Sequence, residues 1–310
     1  MEVIRHIVSH PRRFQAPVVT LGNFDGVHCG HQAILGRVVA DARARGDVSV
    51  ALTFEPHPVA VLRPDAAPPK LASLPDRLRM MGETGLDFIV LQRFTRAFAA
   101  GTAEDFILQF LVERLRAGKV VVGHSVNFGQ GRRGDAALLE RLGAEHGYEL
   151  EVVGPVRVGE HVVSSSVVRR AVEEGDMRLA ASLLGHRHRV QGVVERGAAR
   201  GATIGFPTAN VRVRTAMLPP DGVYAVWTNA GGTRRPGVAN VGQKPTFGAG
   251  LARTLEVHIF DFSGDLYGAR CEVGFVERLR GEIAFPSVDA LVAQIGRDAE
   301  QARALLALDV

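Results

Sequence analysis

The sequence predicts two domains of different fold class, an α/β domain with a parallel sheet followed by an antiparallel β-barrel with a closing helix. Its 310 residues exceed one ordinary domain of roughly 100–200 residues. In the first half, short β-branched runs alternate with amphipathic segments, which is typical of parallel strands covered by helices. In the second half, glycine and proline separate short strands, which is typical of a compact barrel. We predict domains over residues 1–185 and 186–310.

Hydrophobic spacing predicts the elements of the first domain. Four apolar runs are expected to be strands, at residues 18–21, 48–54, 88–91 and 120–122. Between them, apolar residues at helical spacing predict amphipathic helices, one of them capped by Thr102 with Asp105 three residues later. The domain is expected to end with two helices, which separate at Gly175 and finish near Gly185.

The second domain shows strand patterns at residues 190–194, 223–227 and 255–260. Ser287 is then expected to cap a closing helix that carries Leu291, Ile295 and Leu305.

Composition excludes several classes of protein. No run of about 18 apolar residues occurs, and residues 1–13 lack the unbroken apolar core of a secretory signal. Cys29 and Cys271 are the only cysteines, which argues against a disulfide framework or a cysteine-rich zinc site. The net charge of +4 comes from scattered arginines, without the clustering of a nucleic-acid groove. We therefore expect a cytoplasmic protein that binds neither membranes nor nucleic acid; the sequence does not determine its oligomeric state.

The segment 22–31 (GNFDGVHCGH) carries the first candidate site. It follows the predicted strand at 18–21 and opens a helix, so glycines allow close approach to a polyphosphate and the helix N-terminus offers N–H groups. His28 and His31 lie three residues apart and can reach the same phosphates. This arrangement indicates ATP binding and stabilisation of charge at the α-phosphorus. The alternatives are a metal pair, for which further ligands are not evident, or two surface histidines.

A second candidate segment, 163–169 (VSSSVVR), is predicted to start a helix. Its hydroxyls and N–H groups can bind phosphate while Arg169 supplies a cation, although an ordinary serine cap explains the same pattern. Together the two segments resemble the HxGH and SSTxxR-like motifs of the nucleotidylyltransferase superfamily, which implies a Rossmann-like fold.

The rest of the first domain resembles the N-terminal module of the bacterial bifunctional riboflavin kinase/FMN adenylyltransferase (FAD synthetase) family. The matching segments are TFEPHP at 53–58 and a stretch over 122–135 that begins VG and ends RGD. The resemblance implies that His28 and His31 are catalytic. It also implies an ATP site formed by Gly22, Phe24, Asp25, His28, His31, Ser164, Ser165 and Arg169.

The first domain departs from that family's pattern in two places. Ser125 and Val126 stand where the family usually has Asp or Asn followed by Phe, and Ser166 and Val167 replace the threonine and first arginine of SSTRIR. An alternative hypothesis is therefore a riboflavin kinase joined to an impaired or retargeted adenylyltransferase domain. That alternative predicts accumulation of FMN without FAD.

The segment 192–210 (GVVERGAARGATIGFPTAN) carries a candidate metal site. Magnesium prefers oxygen ligands, and the Thr208 hydroxyl and the Asn210 amide oxygen lie on one face of an extended segment. The alternative is a proline turn stabilised by hydrogen bonds from the same two side chains. In the strand at 255–260, alternation places Glu256 and His258 on the face opposite Val257, either toward a cleft or toward solvent.

These segments resemble the riboflavin kinase family along nearly the whole second half. Further matches are GVANVG at 237–242, EVHIFDF at 256–262 and DLYG at 265–268. The resemblance implies that Glu256 is the general base and that Thr208 and Asn210 bind Mg²⁺. It also implies binding of ATP and flavin by Gly197, Gly201, Thr208, Asn210 and Arg278. Ala202 departs from the family, which usually has arginine there.

We therefore predict two ATP- and Mg²⁺-dependent reactions on one chain. Riboflavin is phosphorylated to FMN in the barrel domain, and FMN is adenylated to FAD in the α/β domain with release of pyrophosphate. Positioning and charge neutralisation dominate such transfers, which explains the recurrence of glycine loops, histidines and oxygen ligands. A non-catalytic flavin- or nucleic-acid-binding regulator is a different hypothesis, and the joint presence of Glu256, Thr208 and Asn210 argues against it.

Overall fold

The computed structural model describes residues 1–197, 200–213, 215–245 and 251–309. They form two compact units, each described by itself. The first comprises Met1–Pro68 and Leu74–Ser164, and the second comprises Pro69–Ser73 and Ser165–Val310. The helices that precede residue 185 therefore group with the barrel. The predicted boundary between functional domains at residue 185 stays a prediction.

The first unit is built on a parallel sheet, as the alternation of apolar runs predicts. Its strands are β1 (Glu2–Arg5), β2 (Val18–Leu21), β3 (Ser49–Glu55), β4 (Phe88–Arg93), β5 (Lys119–Gly123) and β6 (Glu149–Val153). Among the described residues they pair in the order β1-β4-β3-β2-β5-β6, every pair parallel. Successive residues of β2 and β3 are buried, because both faces of the sheet are covered.

Helices connect these strands. In the first unit they are α1 (Cys29–Arg45), α2 (Pro58–Leu62), α3 (Leu74–Glu83), α4 (Arg96–Ala99), α5 (Ala103–Phe106) and α6 (Ala136–His146). The predicted cap of α5 is confirmed, since the Thr102 hydroxyl accepts from the Asp105 N–H at 3.0 Å and the Asp105 carboxylate accepts from the Thr102 N–H. The helix continues as a π-helical stretch, Ile107–Arg114. A short hairpin of β7 (Arg157–Val158) and β8 (His161–Val162) completes the unit.

The sequence prediction missed the edge strands β1 and β6. Both carry polar residues among the apolar ones, and several of their residues are exposed, so the apolar run that revealed the central strands is absent. Because β1 precedes β2, the segment 22–31 follows the second strand of the chain and not the first.

The second unit is a closed antiparallel barrel, as predicted. Its strands are β9 (Arg189–Glu195), β10 (Ala209–Val213), β11 (Gly222–Ala230), β12 (Thr233–Pro245), β13 (Leu251–Ile259) and β14 (Arg270–Arg280). The described strands close in the order β10-β13-β12-β11-β14-β9. Its helices are α7 (Ser165–Glu174), α8 (Met177–Leu184), α9 (Arg200–Thr203) and α10 (Val288–Ala307).

The closing helix α10 begins where the sequence predicts. The Ser287 hydroxyl accepts a hydrogen bond from the Ala290 N–H at 3.2 Å. Ala302 and Leu306 of the helix pack in one hydrophobic cluster with Val223 and Val238 of the barrel. The helix therefore covers one outer face of the barrel.

No helix in the described ranges is long and apolar enough to cross a membrane.

Candidate active sites

The first candidate site lies where the strand order of the parallel sheet reverses. The chain moves from β2 to β3 and β4 on one side, and then returns to place β5 on the other side of β2. Ligands of open α/β sheets bind beside the carboxyl ends of the strands at such a point. The segment 22–31 starts directly after β2 and leads into α1, so it occupies this position.

The backbone of this loop is strained. Phe24 and Val27 have φ values of 50° and 42°, which are unusual for residues with side chains, and both are buried. A Cβ at Gly22 would lie 3.1 Å from the Phe24 ring, so the glycine makes room for that ring. Strain of this kind persists only where the surroundings fix the conformation, and it concentrates at functional sites.

His28 and His31 form a stacked pair at the start of α1. Nδ1 of His28 accepts a hydrogen bond from the His31 N–H at 3.3 Å, so His28 caps the helix. The two rings stack with centroids 3.6 Å apart. A Cβ at Gly30 would lie 3.2 Å from the His28 ring, which explains the glycine between them. Because Nδ1 of neutral His28 is an acceptor, its proton lies on Nε2, which can donate to a phosphate oxygen.

His31 is held as a neutral imidazole. Burial, the nearby His28 and the charge of Arg77 together hold the pKa of His31 well below its ordinary value. Its Nδ1 atom is buried and has no hydrogen-bond partner among the described residues, although the ring as a whole is only half-buried. At neutral pH the His31 ring is therefore uncharged, and it contributes a hydrogen-bonding group beside the helix N-terminus.

Arg77 of α3 joins two loops of this site, and sequence reasoning missed it. Its guanidinium donates to the Asn23 carbonyl, the Phe54 carbonyl and the Glu55 carboxylate, each at 3.0 Å. The residue is 4% exposed. The signal was present in the sequence, since Arg77 shares the buried face of α3 with Met80 and Met81 at helical spacing.

The other predicted nucleotide-binding residues are distributed between the two units. Asp25 is buried in the loop beside Arg77, and its charge acts on the Arg77 guanidinium. Ser164 ends the first unit, whereas Ser165 starts α7 in the second. Arg169 of α7 donates from Nε to the Pro69 carbonyl at 2.8 Å within the second unit. The assignment of these residues to one ATP site stays a prediction.

The structure shows the surroundings of three residues that depart from the family pattern. Ser125 is exposed after β5, and its carbonyl accepts from the Asn127 amide at 3.0 Å. Val126 is half-buried and packs against the hydrophobic core of the first unit. Val167 is half-buried in the first turns of α7. The side chain of Ala202 lies outside what the structure describes.

The second candidate site is a cavity of about 660 Å³ on the outer face of the barrel. That volume suits a small-molecule ligand. The residues that line it come from the loop before β10, the strands β11 to β14, the segment 282–285 and α10. Among its lining residues the polar side chains are Thr208, Asn240, Glu256, His258, Arg280, Glu282 and Asp298.

Strand register brings three polar residues into one row. Glu256 of β13 lies directly opposite Asn210 of β10 on one side and Asn240 of β12 on the other. Directly opposed residues on antiparallel strands point to the same face, with Cβ atoms about 5 Å apart. Leu255 and Val257 are buried, so the predicted alternation is confirmed and Glu256 faces the cavity.

The glycine-rich turn packs closely on the segment that carries Thr208 and Asn210. A Cβ at Gly197 would lie 2.2 Å from the Asn210 amide nitrogen, and one at Gly201 would lie 2.3 Å from the Phe206 carbonyl. Thr208 and Gly201 line the cavity, whereas Gly197 and Asn210 are not among its lining residues in the described chain. Asn210 is the direct cross-strand neighbour of Glu256, which does line the cavity.

His258 and Arg278 differ in their relation to the cavity. His258 lines it beside Glu256, and its Nδ1 atom lies 2.8 Å from the Pro207 carbonyl, an acceptor, so Nδ1 donates. Arg278 donates to the Asp221 carbonyl at 2.7 Å and is not among the described lining residues. The predicted ligand-binding role of Arg278 stays a prediction.

An ion pair that sequence reasoning missed connects α10 to the barrel. Arg280 makes three hydrogen bonds of 2.8–3.1 Å to the Asp298 carboxylate, which also accepts from Gln294 at 2.8 Å. Asp298 is buried, and both members of the pair line the cavity. The pair therefore fixes one wall of the site.

No cluster of three or more His, Cys, Asp and Glu residues suited to a metal occurs in the described part of the chain. The donor set around Glu256 is instead a hydroxyl, amides and carboxylates, which are hard oxygen donors. Such a set would fit Mg²⁺, which prefers oxygen ligands.

Family models match both halves of the chain. The model described as FAD synthetase matches residues 10–167, and the model described as riboflavin kinase matches residues 184–306.

Curated relatives match nearly the whole length. A bifunctional riboflavin kinase/FMN adenylyltransferase of Escherichia coli is 42% identical over 95% of this chain and 95% of its own. The enzyme of the same name from Haemophilus influenzae is 38% identical over 98% of this chain and 99% of its own. A solved structure described as a macrolide-efflux protein from Streptococcus pneumoniae superposes with a TM-score of 0.87, at 30% identity, over 97% of this chain and 98% of its own.

Proposed function

Because the chain belongs to the bifunctional riboflavin kinase/FMN adenylyltransferase family, we propose that it converts riboflavin to FMN and FMN to FAD. Both reactions use ATP as co-substrate. We assign the first to the barrel cavity and the second to the stacked histidines of the parallel-sheet unit. The domain division at residue 185 and the residue roles below belong to this proposal.

The observation that carries the kinase assignment is the row of Asn210, Glu256 and Asn240 beside the cavity. Glu256 accepts the proton of the terminal ribityl hydroxyl as its oxygen attacks the γ-phosphorus of ATP, and ADP leaves with the electrons of the broken P–O bond. The apolar lining residues, including Val223 and Leu291, bury the flavin ring and exclude water.

Thr208 and Asn210 are the residues that would hold Mg²⁺ in this site. The ion would neutralise negative charge on the phosphate oxygens. Gly197 and Gly201 keep the backbone close to the Thr208 segment, which suits them to cover the phosphates.

The observation that carries the adenylyltransferase assignment is the stacked pair of His28 and His31 at the N-terminus of α1. A phosphate oxygen of FMN attacks the α-phosphorus of ATP, and pyrophosphate leaves. The histidine N–H groups and the helix N-terminus stabilise charge that develops on the phosphate oxygens. Arg169, Ser164 and Ser165 are proposed to bind the same nucleotide.

Neither reaction needs a covalent nucleophile from the protein. In agreement with this, the Cys271 thiol is buried, and burial raises its pKa to about 11, so it is not a reactive thiolate. Cys29 and Cys271 are both outside any disulfide, which supports the proposed cytoplasmic location.

A time course with purified protein, riboflavin and excess magnesium–ATP tests the proposal. We expect FMN to appear first and FAD to follow when flavins are separated by chromatography. FMN that accumulates without FAD would instead support the impaired-adenylyltransferase alternative, to which Ser125, Val126 and Val167 point. Unchanged riboflavin would contradict the kinase assignment, and FMN offered directly would still test the adenylyltransferase.

A further inference from the structure

Arg77 occupies the place where the pairing of β2 with β3 ends. Directly after β2, the Gly22 N–H still donates to the Leu52 carbonyl, at 3.1 Å. Beyond it, the carbonyls of Asn23 and Phe54 both accept from Arg77 at 3.0 Å. The guanidinium therefore links the two segments at the point where β2 gives way to a loop while β3 continues to Glu55.

Each acceptor of Arg77 belongs to a segment of the candidate site. The Asn23 carbonyl directly precedes Phe24, which has a positive φ, and the loop from there carries His28 and His31. The Phe54 carbonyl lies at the end of β3, before the PHP turn at 56–58. The Thr53 hydroxyl also donates to the Asn23 carbonyl, at 3.4 Å, so this carbonyl is held from two sides.

The charge of Arg77 is balanced locally. Its guanidinium pairs with the Glu55 carboxylate at 3.0 Å, and the Asp25 carboxylate lies close enough to act on it. Arginine keeps its charge even where burial lowers its pKa, as it does here. A buried cation of fixed planar geometry thus lies beside the strained loop and close to His31.

We propose that Arg77 is a positioning residue for adenylyl transfer, which holds the Asn23 and Phe54 carbonyls in one geometry and so sets the loop that bears His28 and His31. The inference rests on the proposed function of that loop. Arg77 does not itself touch a reacting atom in this account. A purely structural ion pair would stabilise the unit without changing the reaction.

The test is Arg77→Lys, with Arg79→Lys as the matched control. Lysine keeps the charge but replaces the planar fork with a single ammonium, so it cannot hold three acceptors in the same geometry. Arg79 lies two residues later on α3, is partly exposed and pairs with Glu83. We expect the kcat of FMN adenylation to fall on the order of 10–100-fold in Arg77→Lys, with a smaller change in KM for ATP. Arg79→Lys should leave both unchanged.

Riboflavin kinase activity of the same chain is the internal control. Its site lies in the other unit, so Arg77→Lys should keep it within about twofold of the unmodified protein. A kcat of adenylation within twofold of the unmodified protein overturns the proposal. So does a loss confined to KM, or an equal loss of both activities.

A readout without turnover separates this inference from the proposed function. The imidazole protons of His31 are followed by NMR in the unmodified protein, in Arg77→Lys and in Arg77→Met. The titratable or charged groups that act on it are His28 and Arg77, and Asp25 and Glu55 act in turn on the Arg77 guanidinium. We expect shifted His28 and His31 signals in both variants, with folded methyl signals retained. Unshifted histidine signals overturn the positioning role even if the protein makes no FAD.

Discussion

The two units hold their candidate site residues by different means. In the parallel-sheet unit, His28 and His31 lie on a loop and the first turn of a helix, where a cap, ring stacking and the buried Arg77 fix them. In the barrel, Glu256 and Asn240 project from neighbouring strands, and the backbone ladder sets their separation. One site depends on loop geometry and the other on strand register.

This difference determines which changes each site tolerates. A loop site responds to small backbone adjustments, because no regular ladder restores the geometry. A strand site keeps its geometry when a side chain is altered, so it responds mainly to the chemistry of that side chain and to the walls around it.

The largest effect is expected for Glu256→Gln. The amide keeps the size and hydrogen-bonding capacity of the side chain but cannot accept the ribityl proton, so kinase kcat should fall roughly 10²–10⁴-fold. Adenylation of added FMN should be unchanged. The control Glu300→Gln makes the same chemical change at an exposed position of α10 and should leave both activities intact. Near-normal phosphorylation by Glu256→Gln would remove Glu256 from the role of general base.

Asp298→Ala should lower the stability of the barrel unit, because Asp298 and Arg280 form one wall of the cavity. Removing the carboxylate leaves Arg280 without its buried partner, which should cost about 3 kcal/mol of barrel stability. The chain's single tryptophan, Trp227, lies in β11, so its fluorescence during urea unfolding reports on this unit. Glu300→Ala on the same helix should cost far less. Equal unfolding curves for Asp298→Ala and the unmodified protein would show that the ion pair does not hold α10.

The free energy of unfolding of the first unit should depend on pH through the protonation of His31. Since its pKa is lower in the folded state, the unfolded chain takes up a proton first as pH falls below about 6.5, and stability then decreases. The slope should approach 1.4 kcal/mol per pH unit until the folded pKa is reached, and vanish above pH 7. This slope is measured by hydrogen exchange of the β2 amides in the unmodified protein and in His31→Asn. A slope that is the same in both proteins would contradict a lowered pKa for His31 in the folded protein.

The smallest effect is expected from two glycines of α1. Gly30→Ala places a Cβ 3.2 Å from the His28 ring, so the stacked pair must shift, and adenylation should fall about tenfold. At Gly36 a Cβ meets nothing within 4 Å, so Gly36→Ala should leave activity intact and raise helix stability by about 0.5–1 kcal/mol. Similar kinetics for the two variants would show that the loop tolerates a displaced His28.

Much of this arrangement could be predicted from sequence, and the limits have physical causes. Period-2 and helical spacing revealed the buried central strands, the cap at Thr102 and the closing helix after Ser287, because local patterns specify them. The polar edge strands β1 and β6 lack such a pattern. The alternation that turns Glu256 toward the cavity was visible, but its alignment with Asn210 and Asn240 depends on pairing between distant strands.

The two site residues that the sequence did not predict, Arg77 and Asp298, were missed for a different reason. Arg77 and Asp298 are charged residues on buried faces of helices, where the sequence alone does not identify their partners. The Phe54 carbonyl that accepts from Arg77 lies 23 positions away in the chain, and the Arg280 that donates to Asp298 lies 18 positions away. Only the fold brings Arg77 to the Asn23 carbonyl, and only the fold brings Arg280 to Asp298.

If two separate sites perform the two consecutive reactions, a mixture of two variants, each defective in one site, should carry out both. Glu256→Gln supplied with riboflavin should make very little FMN, and His31→Asn should stop at FMN. An equimolar mixture should produce FAD, because FMN released by one chain is adenylated by the other. Loss of both activities in either variant alone, or a mixture that accumulates FMN without FAD, would rule out two independent sites.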